Sequence, residues 1–194
     1  NRTSPDETMK TVIEMVTKRI PGKFGFDPVR DIQVLTPMNR GGVGTQALNE
    51  ELQKVLNPNG PGIERGRITF RVGDKVMQLR NDYDKNVYNG DVGIVSAVDT
   101  EEDTLTVRYD EAREVPYDGR SLDELALAYA CTVHKSQGSE YPAVVIPLLT
   151  AHFVMLSKNL LYTAVTRGKR LVVLVADPLA VKLALGEQSR EERQ

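Results

Sequence analysis

Apolar positions along the chain recur at two spacings, and the change from one to the other divides it. Val12, Ile13, Val16 and Ile20 form one face at helical spacing. Ahead of them Ser4, Pro5 and Glu7 have the order of a capping box with proline in the first turn. Pro21-Gly22 predicts the end of that helix. Residues 31–36 form a branched apolar run of strand length, and residues 40–44 a glycine-rich turn. From Thr45 the helical spacing returns at Leu48, Leu52, Val55 and Leu56. Strand, turn and helix in that order predict a parallel α/β sheet.

The run Asn57-Pro58-Asn59-Gly60-Pro61-Gly62 can continue neither pattern. After it, short β-rich runs at 75–80, 92–98 and 105–109 are separated by turn signals at Asn89-Gly90-Asp91 and Glu101-Glu102-Asp103, which predicts a small antiparallel barrel. Longer units then resume: strands at 126–132 and 143–147, a helix at 157–167, a strand at 171–176, and a helix at 179–185 opened by Asp177-Pro178. The expected architecture is one α/β domain, residues 1–62 and 126–194, interrupted by a barrel at 63–125. The tail 187–194 is expected to fray.

Composition narrows the possibilities. The 194 residues are 40% hydrophobic and 27% charged, an ordinary globular balance. No apolar run approaches the roughly 20 residues of a membrane span, and the first residues lack a basic-then-apolar leader, so a cytoplasmic protein without a membrane partner is expected. A single cysteine, Cys131, with His134 and His152 lacks zinc-ligand spacing, and no structural metal is implied. The net charge of −2 excludes nucleic-acid binding through a bulk positive field, so any such contact must be local. The charge is also uneven, since residues 63–125 hold nine Lys and Arg against fifteen Asp and Glu, a net −6.

Candidate chemistry concentrates in Ala130-Cys131-Thr132-Val133-His134-Lys135-Ser136-Gln137-Gly138-Ser139-Glu140. It sets hydroxyls, a cation, amides and a glycine at a strand exit, where α/β sheets place ligand contacts. This stretch resembles helicase motif V, and Leu161-Tyr162-Thr163-Ala164-Val165-Thr166-Arg167-Gly168-Lys169 resembles motif VI of superfamily 1. Val34-Leu35-Thr36-Pro37-Met38-Asn39-Arg40-Gly41 resembles motif IV of RecD-like helicases. Gly73-Asp74-Lys75-Val76-Met77-Gln78 through Asn89-Gly90-Asp91 lies between motifs IV and V. The resemblance to RecD-like superfamily 1 DNA helicases, the group of the exodeoxyribonuclease V alpha subunit, covers nearly the whole chain.

The resemblance implies a RecA-like domain of the P-loop NTPase type with an inserted Src-homology-like barrel. It implies that Arg40 and Arg167 reach the γ-phosphate of ATP held mainly by another RecA-like domain, as arginine fingers. Guanidinium suits that task because it is planar, permanently charged and bidentate. It sets Gln137, Gly138 and Glu140 near the nucleotide, with the carboxylate accepting from ribose hydroxyls. Thr132, His134, Lys135 and Ser136 are set against single-stranded DNA, gripping phosphates without reading sequence. In the barrel, Tyr88 and Asn89, with Tyr83, Lys85 and Arg80, offer stacking and phosphate contacts. The acidity of that segment leaves a protein-facing spacer equally open. Plainer readings stand beside these: Arg40 and Glu140 as turn residues, His134 as a structural histidine, Lys135 and Arg167 as solvated surface cations.

Two segments imitate a nucleotide site. Residues 40–45 are glycine-rich but lack the Gly-Lys-Ser/Thr of a P-loop, and 171–177 end an apolar strand in Asp177, which Pro178 marks as a helix cap. With no Walker A segment and no apolar strand ending in Asp-Glu, ATP and Mg²⁺ are expected mainly on an N-terminal RecA-like domain of the same parent protein. The chain is expected to be the C-terminal half of a 5′–3′ helicase and inactive alone. The other reading is a helicase-derived, relaxase-type module that binds single strands and has lost catalysis.

Overall fold

The computed structural model describes residues 4–111, 113–152 and 154–186, so the expected fraying of 187–194 falls outside it. In chain order its strands are β1 (Ile32–Thr36), β2 (Gly62–Arg65), β3 (Ile68–Arg71), β4 (Lys75–Gln78), β5 (Val92–Asp99) and β6 (Thr104–Arg108). They continue with β7 (Glu114–Asp118), β8 (Leu125–Leu127), β9 (Ala130–Thr132), β10 (Tyr141–Leu148) and β11 (Gly168–Ala176). The α-helices are α1 (Pro5–Glu14), α2 (Ile20–Phe24), α3 (Thr45–Leu56), α4 (Lys158–Val165) and α5 (Pro178–Ala184). Two compact units result, residues 1–48 with 130–194 and residues 49–129.

The first unit is built on four parallel strands in the order β11-β10-β1-β9. Val34 is opposite Val145 on one side and Ala130 on the other. Strands covered on both faces read as unbroken apolar runs, and Val144, Val145 and Ile146 are fully buried. The capping box forms as predicted: Ser4 Oγ accepts from the Glu7 amide at 3.2 Å, and the Glu7 carboxylate accepts from the Ser4 amide at 3.2 Å.

Pro21-Gly22 does not end the first helix. A π turn (Met15–Arg19), in which the Ile20 amide bonds the Met15 carbonyl, joins α1 to α2. Proline lacks the amide hydrogen and its ring collides with the carbonyl four residues back in a regular helix, and the widened turn accommodates it. The helix stops instead at Gly25, whose φ of +70° is left-handed.

The second unit contains the antiparallel sheet β7-β6-β5-β4-β8 and the hairpin β2-β3, as the predicted Src-homology-like barrel requires. Its boundaries fall at 48/49 and 129/130, not at 62/63 and 125/126. The reason is Asp74, fully buried, which accepts from Gln53 and Asn57 of the α3 end and from the Tyr129 hydroxyl. Those bonds draw the end of α3 and residues 126–129 into this unit. The single strand predicted at 126–132 is accordingly two: β8 pairs antiparallel with β4, and β9 pairs parallel with β1.

His152, in the short 3-10 turn after β10, is buried, and its Nδ1 accepts from the Leu149 amide at 3.3 Å. Burial holds its pKa below the ordinary 6.5. The folded state therefore binds fewer protons than the unfolded state, and this stability is complete above about pH 6.5 and lost as pH falls through the folded value. The melting temperature is expected to fall on acidification from pH 7 to 5. In His152→Gln, which keeps an acceptor but does not titrate, that decline is expected to be shallower; an identical decline would remove His152 as its cause.

Candidate functional site

Two ends of the parallel sheet carry the residues of interest. At one end β1 and β9 leave side by side: Thr36 is level with Thr132, and the Val133 amide donates to the Thr36 carbonyl at 3.1 Å. The Thr36 hydroxyl donates to the Val43 carbonyl at 2.8 Å, which pins the glycine-rich loop next to the 133–140 loop. A Cβ on Gly44 would lie 2.6 Å from the Arg40 carbonyl, so this close turn requires glycine. Arg40 is exposed in it and makes no ion pair among the described residues.

The 133–140 loop opens with a 3-10 turn (His134–Ser136). Thr132 Oγ1 accepts from the Lys135 amide at 3.3 Å, and Ser136 Oγ donates to the Val133 carbonyl at 2.7 Å. Both side chains are buried. The two hydroxyls expected against a ligand shape the turn instead, and what the turn presents is His134 and Lys135, both exposed. Gln137 and Gly138 follow, also exposed. Gly138 has φ +84° with no atom within 4 Å of a Cβ position, so backbone conformation and not crowding requires glycine there.

The loop ends at the opposite end of the sheet. Tyr141, which opens β10, pairs with Gly168, and its amide donates to the Arg167 carbonyl at 2.8 Å. Arg167 sits in the turn between α4 and β11, beyond the helix in which it was expected. Its Nε donates to the Thr163 carbonyl at 3.1 Å, Nη1 to the Ser139 carbonyl at 3.1 Å and Nη2 to Thr166 Oγ1 at 3.2 Å. All three acceptors are neutral. Glu140 pairs with Lys169 Nζ at 3.1 Å, with both side chains more than half exposed. An exposed pair of this kind contributes at most about 1 kcal/mol, so Glu140 stays available to a ligand. Lys169 was not singled out in the sequence, although its place two residues beyond Arg167 in the same motif is the signal that could have found it.

The fold brings Arg167 together with the end of the 133–140 loop. Along β10, Tyr141 is level with Gly168 of β11, and Val145 with Val34 of β1. Arg40 follows Thr36 at the end of β1, and Arg167 precedes Gly168 at the start of β11. Asp177 caps α5 through Oδ1, which accepts from the Leu179 amide at 2.9 Å.

In the second unit, Tyr83, 75% exposed, meets Tyr88 edge to face with centroids 6.0 Å apart. The Asn89 amide donates to Asn81 Oδ1 at 2.9 Å, leaving the Asn89 side chain exposed. Lys85 is turned inward: its Nζ lies 3.5 Å from Asp82 and 4.8 Å over the Tyr117 ring. Arg80 is exposed. The loop thus offers aromatic faces, while its lysine charge is committed to the barrel.

Residues 48–109 match the family described as the ATP-dependent RecD-like DNA helicase SH3 domain, and residues 127–175 the UvrD-like helicase C-terminal domain. The ATP-dependent RecD2 DNA helicase of Deinococcus radiodurans is 41% identical over 162 residues, 84% of this chain and 22% of that protein. The RecBCD enzyme subunit RecD of Mycolicibacterium smegmatis is 32% identical over 160 residues, 81% of this chain and 27% of that one. The chain therefore spans about a quarter of the length of these curated relatives. Among solved structures, a Bacteroides Pif1 helicase in complex with ADP-AlF3 and single-stranded DNA superposes with a TM-score of 0.58 at 22% identity, covering 94% of this chain and 47% of its own. A second Bacteroides Pif1 structure, bound to single-stranded DNA, gives 0.53 at 21% identity, covering 89% and 45%. These agree with a RecA-like parallel sheet carrying a Src-homology-like insertion. With the barrel family and the C-terminal helicase family matched in the order that motifs IV, V and VI require, the chain belongs to the RecD-like superfamily 1 helicases and corresponds to their C-terminal region.

Proposed function

We propose that this chain supplies the second motor domain of an ATP-dependent 5′–3′ DNA helicase, with residues 1–48 and 130–194 as the RecA-like domain and 49–129 as its inserted barrel. The observation that carries this reading is the Arg167 guanidinium, half-buried and held, among the described residues, only by neutral acceptors at the strand end where Glu140 is exposed. A positioned arginine whose charge no neighbouring carboxylate neutralises is suited to the charge that develops on a transferred phosphoryl group. ATP, as substrate, lies mainly on the other RecA-like domain, and Arg167 reaches its γ-phosphate when the two domains close. Gln137, Gly138 and Glu140 flank the nucleotide.

Closure also acts on the DNA grip. Leaving the Ser139 carbonyl for the phosphate frees the end of the same loop whose beginning presents His134 and Lys135 to single-stranded DNA. Hydrolysis and grip therefore change together. Magnesium belongs with the nucleotide on the other domain. Asp177 spends one oxygen on its helix cap, and among the described residues no three His, Cys, Asp or Glu are grouped to hold a metal.

The test is ATP turnover with and without single-stranded DNA. This chain alone is expected to show none, because its sequence has no Gly-Lys-Ser/Thr phosphate cradle. Joined to the N-terminal motor domain, it is expected to turn over with DNA stimulation. Turnover by the chain alone would sink the two-domain reading. DNA binding by the joined protein without turnover would establish the helicase-derived binding module instead.

A further inference from the structure

We infer that Lys169 is a positioning residue of the nucleotide site, holding the Glu140 carboxylate where it accepts from the ribose hydroxyls of ATP. The inference rests on the function proposed above, which sets Arg167 at the γ-phosphate and Glu140 beside the nucleotide.

The contact joins the stretch 139–141 to the stretch 167–169. Arg167 Nη1 donates to the Ser139 carbonyl at 3.1 Å, the Tyr141 amide donates to the Arg167 carbonyl at 2.8 Å, and Tyr141 is level with Gly168. Lys169 completes the set, with its Nζ 3.1 Å from Glu140 Oε2. The start of β11 thus ties the arginine and the carboxylate to one short stretch of loop. Side chains alternate along a strand, and Arg170, the next residue, lies instead over the Phe26 ring, 4.9 Å from its centroid. Among the described residues Lys169 is therefore the cation that serves Glu140, which makes no other ion pair.

Chemistry limits what Glu140 can take. An ionised carboxylate only accepts hydrogen bonds, through about four lone-pair sites on its two oxygens. Lys169 engages Oε2, and Oε1 makes no hydrogen bond among the described residues. The donors that ATP offers are its ribose hydroxyls and its adenine amino group, and the ribose is the nearer of these to a γ-phosphate held by Arg167. A glutamate left unpaired would give up rotamer freedom on meeting the sugar, and the pair with Lys169 removes part of that loss beforehand. Both side chains are more than half exposed, so the benefit is severalfold and not orders of magnitude.

The test is steady-state ATP turnover at saturating oligo(dT), using the full-length helicase that carries this chain. Lys169→Ala is expected to raise KM for ATP about threefold and to leave kcat within about twofold, the scale of an exposed pair. Lys169→Arg is expected to restore KM, because a guanidinium also pairs with a carboxylate. Glu140→Gln is expected to raise KM for ATP about fivefold, through loss of the charged acceptor. Adding Lys169→Ala to Glu140→Gln is expected to change nothing further, since a residue that acts through another has no effect once that one is replaced. With dideoxy-ATP, which lacks both ribose hydroxyls, Lys169→Ala is expected to leave KM unchanged. An unaltered KM for ATP in Lys169→Ala overturns the inference. So does a rise as large in the Glu140→Gln background, or with dideoxy-ATP, either of which would have Lys169 meet the nucleotide itself. Glu140→Gln with the KM of the unaltered enzyme would overturn instead the placement of Glu140 beside the nucleotide, and this inference with it.

Discussion

Arg167→Ala in the full-length helicase is expected to lower single-strand-stimulated ATP turnover by about three orders of magnitude or more, the range in which arginine fingers act. The loss is expected in kcat more than in KM for ATP, because the guanidinium meets charge that develops only as the phosphoryl group transfers. Arg167→Lys is expected to recover little. Its charge survives, but one ammonium cannot reproduce the planar fork that reaches Thr163, Ser139 and Thr166 from three nitrogens. A structural role for Arg167 predicts something else, an unfolding midpoint lowered in proportion to the lost turnover. That midpoint, measured on the same variants, separates the two: a finger leaves it close to that of the unaltered enzyme while turnover collapses. Turnover within tenfold of the unaltered enzyme would remove Arg167 from the chemistry.

Asp74→Ala is expected to lower the unfolding free energy by about 4 kcal/mol, with the loss in the barrel unit. The carboxylate is fully buried and takes four donors: Oδ2 accepts from Gln53 Nε2 at 2.6 Å and the Arg71 amide at 2.7 Å, and Oδ1 from Asn57 Nδ2 at 2.7 Å and the Tyr129 hydroxyl at 2.7 Å. Burial, and then the Asp74 charge, push the Tyr129 phenol well above its ordinary range, so it remains a donor at any working pH. Removing the acceptor strands these donors away from water at about 1–3 kcal/mol each, less than additively because they can rearrange around one site. Asp74→Asn is expected to cost about half as much, since its amide keeps one acceptor but turns a donor toward donors. Urea denaturation followed by tyrosine fluorescence reads both variants, the chain having seven tyrosines and no tryptophan. A change below about 1 kcal/mol in Asp74→Ala would show that the four bonds do not hold the unit together.

The candidate residues were legible by type and much less by position. Arg167, Gly138, Glu140, His134 and Lys135 could be named from motif order, because the chemistry of phosphate contact restricts which side chains serve. Thr132 and Ser136 were equally plausible by type, yet their hydroxyls fold inward to bond the Lys135 amide and the Val133 carbonyl. Nothing in a one-dimensional pattern distinguishes a hydroxyl that meets a ligand from one that closes its own turn. Lys85 is the same case in the barrel, a cation that looked free until the Tyr117 ring and Asp82 took it.

The sequence by itself determined the features whose causes lie within a few residues. These are the capping box at Ser4, the cap at Asp177 before Pro178, the helical stripe from Leu48 to Leu52 and the run of β-rich segments separated by turns. It also set the identity of the family, through motifs short enough to be read in place. Only the tertiary structure decided that α1 runs on past Pro21 through a π turn, that residues 126–132 serve two different sheets, and that the Arg167 guanidinium meets the Ser139 carbonyl. Each of these depends on partners tens of residues away: a sheet order of β11-β10-β1-β9 is set by which apolar strands bury one another, and a buried carboxylate recruits donors from α3 and Tyr129 alike. Propensity and capping act through near neighbours along the chain, whereas strand order and buried polar networks are settled by burial between distant segments, which a linear pattern does not contain.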